Sequence, residues 1–359
     1  MIKLLYITTN LNSSGGVARV LSLKLNYLVE KYDYDVAVIN SNGDSSNLFF
    51  KFDKRIKIYS LNQHYSKIKR FLTYKSKLNN LIFEINPDVI VNCDDGLKGA
   101  LLPYILSGKF PLIFESHRTH NALERNILEN LKLKFRNLFF SKSINKYKRI
   151  VVYRHLEKVW KSKNIRVIHN PLAFEIPKKS SSLNNRIVLA VGRLSYVKGY
   201  DKLINIWTLV VEKHPDWKLH IYGEGDRLSL LKKVKKMNLI NNISFFNPVS
   251  NIKDVYLNAS ILVNTSRHEA FGLALIEAMA CGLPVLAFSN TLGPRIYIKH
   301  KENGFLIKKD DMAGYANQII ELIEDKDKMQ SIGKNAKISI KKYEISNIME
   351  QWNHLFQSI

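Results

Sequence analysis

Twice along its length the chain runs through the same alternation: a short apolar run, a turn, then a longer stretch with helical spacing. In the first half the apolar runs are residues 2–7, 35–39, 89–92, 112–114 and 150–152, with helical stretches at 19–31 and 67–85. A second series starts at Arg186. Its apolar runs are 187–191, 218–222, 243–245, 261–264 and 284–287, and its helical stretches lie near 200–213, 226–237, 252–259 and 273–281. Short apolar runs without polar alternation read as strands buried on both faces, hence as parallel strands covered by helices. The alternation therefore points to an α/β architecture, and its repetition to two Rossmann-like domains. At 359 residues the chain is long enough for two cores.

Composition narrows the class. Apolar residues make up 46% and charged residues 24%, as in a globular protein. No run of 18 apolar residues predicts a membrane-spanning helix. The opening MIKLLYITTNLNSSGG reads as a buried strand and its loop rather than a signal peptide. Two cysteines, Cys93 and Cys281, make no disulfide framework and fit a reducing cytosol.

The net charge of +24 is uneven: residues 1–170 hold 29 Lys and Arg against 13 Asp and Glu. Residues 128–150 mix Leu131, Phe135, Leu138, Phe139 and Tyr147 with Lys132, Lys134, Arg136, Lys142, Lys146, Lys148 and Arg149. Residues 65–81 have a similar character. This pattern suits an anionic membrane surface, reached from the cytoplasmic side as a peripheral protein. A merely solvated basic surface is the plainer reading. Nucleic acid is not an expected partner, because no nucleic-acid motif accompanies the charge.

The chemistry is concentrated in residues 266–282, SRHEAFGLALIEAMACG. Glu269 stands in a loop, Gly272 precedes a helix-forming run, and Glu277 lies about one and a half turns into that run. A helix start offers unpaired N–H groups and the positive end of a dipole, a site for phosphate. Two carboxylates beside a phosphate site suit hydroxyl groups, and a sugar nucleotide carries phosphates and hydroxyls together. Three further motifs stand in order before this segment. Gly15 and Gly16 follow the first apolar run, Gly192-Arg193-Leu194-Ser195-Tyr196-Val197-Lys198-Gly199 follows the run at 187–191, and Gly223-Glu224-Gly225 comes next.

Together these motifs resemble the retaining GT-B glycosyltransferases of family 4 (glycosyl transferases group 1), with their Glu-x7-Glu signature. The resemblance covers most of the chain. It implies two facing Rossmann-like domains with a cleft between them: an acceptor domain at 1–168 and a nucleotide-sugar donor domain at 172–344. The stretch Val167-Ile168-His169-Asn170-Pro171 resembles the junction between them, and a final helix within 345–359 would pack back on the first. It also implies a donor site in which Glu277 grips the ribose hydroxyls and Glu269 faces the transferred sugar. Phe271, Gly272 and Leu273 would offer N–H groups to the diphosphate, Arg193 and Lys198 would stabilise the leaving group, and backbone near Val249 would meet the base. Gly15 and Gly16 would approach the donor from the first domain, and His117 would meet the donor sugar. The residues 290–295, NTLGPR, match a subgroup that uses UDP-hexoses or UDP-N-acetylhexosamines.

The resulting expectation is hexose or N-acetylhexosamine transfer from UDP to a growing, polyprenyl-diphosphate-linked bacterial surface glycan such as capsule or O-antigen. No metal or other cofactor is expected. Asp33-x-Asp35 abuts a strand and Asp325-x-Asp327 lies in a polar helical stretch, so neither is a convincing metal loop, and the two cations would neutralise the diphosphate instead. Alternatives are a GT-B-type UDP-sugar epimerase and a non-enzymatic basic nucleic-acid-binding protein. The chain departs from the family after its strand at 150–152. There Val152-Tyr153-Arg154-His155-Leu156-Glu157 replaces the usual serine or threonine followed by aspartate.

Overall fold

In a computed structural model the described residues are 2–61, 67–117, 127–153, 157 and 162–359; for residues 67–72, 127–130, 132 and 133 only the backbone is described. The chain divides into two compact units, Met1–Pro171 with Ser346–Ile359, and Leu172–Ile345. Arg154, His155 and Leu156, the departure noted above, lie outside the described residues.

The first unit is built on seven parallel strands, β1 (Lys3–Thr8), β2 (Asp35–Asn40), β3 (Lys57–Ser60), β4 (Val89–Asn92), β5 (Leu112–Glu115), β6 (Arg149–Val152) and β7 (Ile165–Val167). Their spatial order is β3-β2-β1-β4-β5-β6-β7. Every residue of β4 and β5 is buried, which is why these strands show no polar alternation. The helices are α1 (Gly16–Tyr32), α2 (Lys67–Ile85), α3 (Leu97–Ile105) and α4 (Ile127–Ser143).

The second unit carries six parallel strands, β8 (Ile187–Val191), β9 (Lys218–Tyr222), β10 (Ile243–Phe246), β11 (Ile261–Asn264), β12 (Val285–Phe288) and β13 (Phe305–Ile307), in the order β10-β9-β8-β11-β12-β13. Between and after them run α5 (Tyr200–Lys213), α6 (Arg227–Lys236), α7 (Ile252–Leu257), α8 (Leu273–Ala280), α9 (Met312–Glu324) and α10 (Lys326–Ser339). In both sheets the first strand in sequence lies between the second and the fourth, so the winding reverses there. Ligands of such sheets bind beyond the carboxyl ends of the strands at that reversal. In the second unit those ends are the residues after Val191 and after Asn264, which lead to Arg193 and to Glu269.

The last helix, α11 (Ile345–Gln357), belongs to the first unit from Ser346 onward. Trp352 and Phe356 are buried there, and the Tyr34 hydroxyl donates to the Asn353 side chain at 2.6 Å.

Several elements lie where the alternation predicts none. β3 is an edge strand of four residues, KIYS, none of them fully buried, and β13 has only three residues. α9 and α10 are amphipathic and start at aspartate caps, where Asp311 accepts from Gly314 N and Asp325 from Lys328 N. α3 contains Pro103, which argues against a helix in sequence. The carbonyl that Pro103 cannot satisfy is that of Gly99. It accepts instead from the Tyr147 hydroxyl at 2.8 Å and from Asn92 Nδ2 at 3.3 Å. The proline is tolerated because two side chains replace its missing donor.

The basic–apolar stretch at 128–150 separates into two sides. Tyr147 and Arg136 turn inward, against the expectation that they share one surface with the lysines. Tyr147 is fully buried against Phe114, and Arg136 bonds the Asn137 side chain. Leu131, Phe135, Leu138 and Phe139 are exposed, Phe135 to 60%. In the related stretch at 65–81, the side chains before residue 73 lie outside the described residues.

Candidate active site

Arg193 and Lys198 sit just beyond β8. Gly192, at φ +151°, starts the turn. The second glycine motif makes room for it: a Cβ on Gly223 would stand 2.0 Å from the Gly192 carbonyl oxygen, and Leu194 bridges to Gly225. Gly223 and Gly225 thus serve close packing of two loops. The turn closes at Gly199 (φ +69°), where any Cβ would strike the Thr265 carbonyl at 2.1 Å. That contact zips the turn to the segment after β11. Arg267 N donates to the Val197 carbonyl at 2.7 Å, and Thr265 Oγ1 donates to the Gly199 carbonyl at 3.0 Å. The Arg267 guanidinium forks onto both oxygens of Asp201 and lies 3.9 Å over the Tyr196 ring.

The zipped segments bring Lys198 and Glu269 together. Lys198 Nζ donates to Glu269 Oε2 at 2.6 Å, with the carboxylate side chain 11% exposed. Asn264 Nδ2 and Ser266 Oγ reach the same oxygen, each at 3.2 Å. Burial pushes the carboxyl upward, but the lysine charge and the three donors outweigh it and hold Glu269 below the usual carboxylate range. Arg193 is exposed, and its guanidinium makes no ion pair among the described residues.

Gly272 caps α8 in the left-handed region at φ +88°. A Cβ there would stand 2.7 Å from the Tyr297 hydroxyl and 3.2 Å from Glu269 Cγ, so both conformation and space require glycine. The Tyr297 hydroxyl donates to the Phe271 carbonyl at 2.7 Å, fixing the loop from below. Leu273 and the residue after it begin the helix, with N–H groups that have no intrahelical acceptor. Glu277 lies inside α8, 4% exposed, and accepts from the Tyr256 hydroxyl at 2.8 Å. The tyrosine comes from α7, and nothing in the spacing of the signature announces it. The Gly293-Pro294 pair lies against this loop: Gly293 N donates to the Glu269 carbonyl at 3.0 Å, and a Cβ on Gly293 would meet Phe271 N at 2.8 Å. Val249 follows β10 and is exposed.

In the first unit, Gly15 and Gly16 stand at the start of α1, directly beyond β1. Gly15 is the extended cap residue (φ −77°) and Gly16 the first helical one. His117 follows β5, but its ring is turned inward with a side chain only 2% exposed. Nε2 stands 3.5 Å from Glu115 Oε1, and Nδ1 stands 3.5 Å from the Tyr153 hydroxyl. Both ring nitrogens therefore face protein groups. Lys24 Nζ donates to both Glu115 oxygens at 2.6 and 2.7 Å, with its charge 3.5 Å over the Trp352 ring. Cys93, Glu115 and His117 bring donor atoms within 4.8 Å of one another, a spacing a metal ion could use. Lys24 already supplies the cation to that carboxylate, and burial together with Glu115 pushes the Cys93 thiol well up, so the trio is poorly suited to a metal.

Comparison with known proteins bears on the family and the fold. Residues 173–339, nearly the whole second unit, match the family described as glycosyl transferases group 1. A glycosyltransferase of Haemophilus influenzae is 29% identical over 366 residues, spanning 98% of this chain and 99% of its own. The Campylobacter jejuni GalNAc-α-(1→4)-GalNAc-α-(1→3)-diNAcBac-PP-undecaprenol α-1,4-N-acetyl-D-galactosaminyltransferase is 27% identical, spanning 100% of this chain and 99% of its own. Staphylococcus aureus TarM, solved in complex with fondaparinux, α-GlcNAc-glycerol and UDP, superposes with a TM-score of 0.82. It covers 99% of this chain and 100% of its own at 18% identity. The chain is a glycosyltransferase of the GT-B fold whose second unit is a glycosyl transferases group 1 domain.

Proposed function

We propose that the protein moves a hexose or N-acetylhexosamine from a UDP-sugar, with retention at the anomeric carbon, to a growing bacterial surface glycan carried on polyprenyl diphosphate. The observation that carries this reading is the Lys198–Glu269 ion pair beside the start of α8, with Glu277 buried in the same helix. The start of α8 takes the diphosphate, and Glu277 accepts from the ribose hydroxyls. Backbone near Val249 meets the uracil. Lys198 and Arg193 neutralise the charge that grows on the departing diphosphate, which is the work a metal would otherwise do. The acceptor hydroxyl oxygen bonds to the anomeric carbon on the face from which UDP leaves. The carbon–phosphate-oxygen bond breaks, and the hydroxyl proton passes to the leaving phosphate oxygen. Glu269 faces the sugar as positive charge develops there. UDP in the TarM complex and undecaprenyl diphosphate in the name of the Campylobacter enzyme support the choice of donor and carrier.

A carrier of that kind lives in a bilayer. No helix among the described residues is long and apolar enough to cross one. The outer side of α4 offers a peripheral alternative: Leu131, Phe135, Leu138 and Phe139 are exposed at spacings of four, three and one. Lys134 and Lys142 are exposed on the same helix, and residues 130–150 contain no acidic residue. Apolar side chains between lysines suit an anionic membrane surface on the cytoplasmic side. Sedimentation with anionic vesicles, reduced by Phe135→Ser with Leu138→Ser, supports this placement; equal partition into anionic and neutral vesicles sinks it.

The donor site is tested by thermal shift against UDP, GDP, ADP and four UDP-sugars, with Glu277→Ala alongside. Stabilisation by the uridine nucleotides, lost in the variant, supports the reading. No shift with any nucleotide sinks it. NMR of the product's anomeric configuration tests retention, and full activity in a chelator tests metal independence.

A further inference from the structure

Three donors converge on one oxygen of Glu269, and among the described residues its other oxygen, Oε1, accepts no hydrogen bond. Lys198 is one donor. The other two are Asn264, which precedes the segment that marks the site, and Ser266, the first residue of that segment; the resemblance gives neither of them a role. We infer that Asn264 and Ser266 are positioning residues that fix Glu269 as a permanent anion, with Oε1 turned toward the transferred sugar. The inference rests on the donor-site reading above and adds the means by which one of its carboxylates is aimed and kept charged.

Asn264 is the last residue of β11, and Ser266 lies two residues on; they are 8% and 1% exposed. The backbone of Asn264 is anchored by Tyr315, whose hydroxyl accepts from Asn264 N at 3.1 Å and donates to the Leu286 carbonyl at 2.8 Å. The Asn264 side chain has one workable orientation. Its Oδ1 accepts from Ser266 N at 3.0 Å, and a backbone N–H can only donate, so the amide nitrogen must face Glu269. Ser266 is placed by the same bond, which turns its hydroxyl back onto Oε2. Asn264 and Ser266 thus hold each other as well as the carboxylate.

The consequence is chemical. An oxygen already accepting from an ammonium, an amide and a hydroxyl is a poor place for a proton. Oε1 keeps its lone pairs for a ligand hydroxyl or for a developing positive charge. Glu269 so arranged works as a fixed charge and hydrogen-bond acceptor, not as a group that takes a proton during each turnover. The lysine alone would supply charge but not direction, because its flexible stem makes it a mobile point charge.

The test uses Ser266→Ala, Ser266→Thr, Asn264→Ala and Asn264→Asp in the full chain. The first readout is the titration of the Glu269 carboxyl in the ligand-free protein, followed by 13C NMR with Glu269→Gln to assign the signal. It needs no substrate. The midpoint rises in Ser266→Ala and in Asn264→Ala, rises further in Asn264→Asp, where a second carboxylate faces the first, and returns toward the parent value in Ser266→Thr. The second readout is turnover of the UDP-sugar that stabilises the parent protein best. In both alanine variants kcat falls about tenfold, as expected for losing a hydrogen bond to a charged group, and the acid limb of its pH profile moves up. UDP affinity stays within about twofold, because Glu277 and α8 are untouched. An unmoved midpoint overturns the inference, and so does an unmoved kcat. Loss of UDP binding in the parent protein sinks the donor-site reading instead, while the NMR titration still decides whether Asn264 and Ser266 hold the carboxylate.

Discussion

Tyr256 on α7 donates its hydroxyl to Glu277 Oε2 on α8 at 2.8 Å, and both side chains are almost wholly buried. A buried carboxylate is costly unless donors surround it. The tyrosine reduces that cost and turns the carboxylate. Tyr256→Phe keeps the packing and deletes the donor. The expected outcome is a loss of about 1.5–3 kcal/mol in stability, the range for a hydrogen bond to a charged group, and UDP affinity weakened about tenfold. Isothermal titration with UDP and a denaturant midpoint check both. Unchanged UDP affinity would show that Tyr256 supports the helix but does not aim Glu277.

Gly293 lies behind the loop that carries Glu269. A Cβ there meets the Ala270 carbonyl carbon and Phe271 N, both at 2.8 Å, and these are backbone atoms that cannot rotate away. Gly293→Ala pushes residues 269–271 off their track. Overpacking of this kind costs about 1–3 kcal/mol, and a displacement approaching 1 Å at a reacting group costs about a hundredfold in rate. The expected outcome is a kcat lowered far more than the melting temperature suggests. Steady-state kinetics beside differential scanning fluorimetry reads the contrast.

Strand–helix alternation made the two parallel sheets legible, because buried strands must be apolar throughout and their covering helices must not be. The order Gly-Arg, Lys-Gly, Glu, Gly, Glu marked the candidate site, because glycines are needed where loops cross, and the structure does bring Lys198 and Glu269 together. What escaped was side-chain support from distant elements. Tyr256 precedes Glu277 by twenty-one residues, and Lys24 precedes Glu115 by ninety-one. No local period encodes such pairs. Pro103 hid α3 for the same reason, since the groups that satisfy the Gly99 carbonyl come from β4 and from Tyr147. His117 was legible as a residue at a strand end, but the inward turn of its ring depends on Glu115 and Tyr153.

Arg267 grips Asp201 with a two-pronged bond while stacking on Tyr196, and Tyr196 lies two residues from Lys198. Lysine at position 267 keeps the charge but cannot form the fork or the flat stack. Asp201 is substantially exposed, so the pair adds under about 1 kcal/mol to stability. Arg267→Lys is therefore expected to melt within a few degrees of the parent protein while kcat falls severalfold, because the turn holding Lys198 loosens. Equal kcat in both proteins would show that the zipped backbone alone positions Lys198.

Lys24 and Glu115 form an ion pair in the first unit, 1% and 6% exposed at their side chains. Burial pushes the Glu115 carboxyl upward, but Lys24 and then His117 outweigh it, leaving Glu115 below its ordinary value. A carboxyl depressed in the folded state contributes stability above its unfolded value of about 4.3 and loses it as pH falls through the folded value. The parent protein should therefore hold this contribution from neutral pH down to about 5 and lose it below about 4. Lys24→Met strands a buried carboxylate, a change that typically costs about 3–5 kcal/mol, or roughly 10 °C in a domain of this size. The direction of the pH dependence also reverses. Without the cation, burial raises the Glu115 carboxyl above its unfolded value, so that stability rises as pH falls from 7 toward 4. Adding Glu115→Leu to Lys24→Met removes the stranded charge and should restore most of the loss. Melting temperatures of the three proteins between pH 4 and 8 test both the size and the sign. A Lys24→Met protein whose stability falls with acid like that of the parent would show that Lys24 is not what keeps Glu115 ionised.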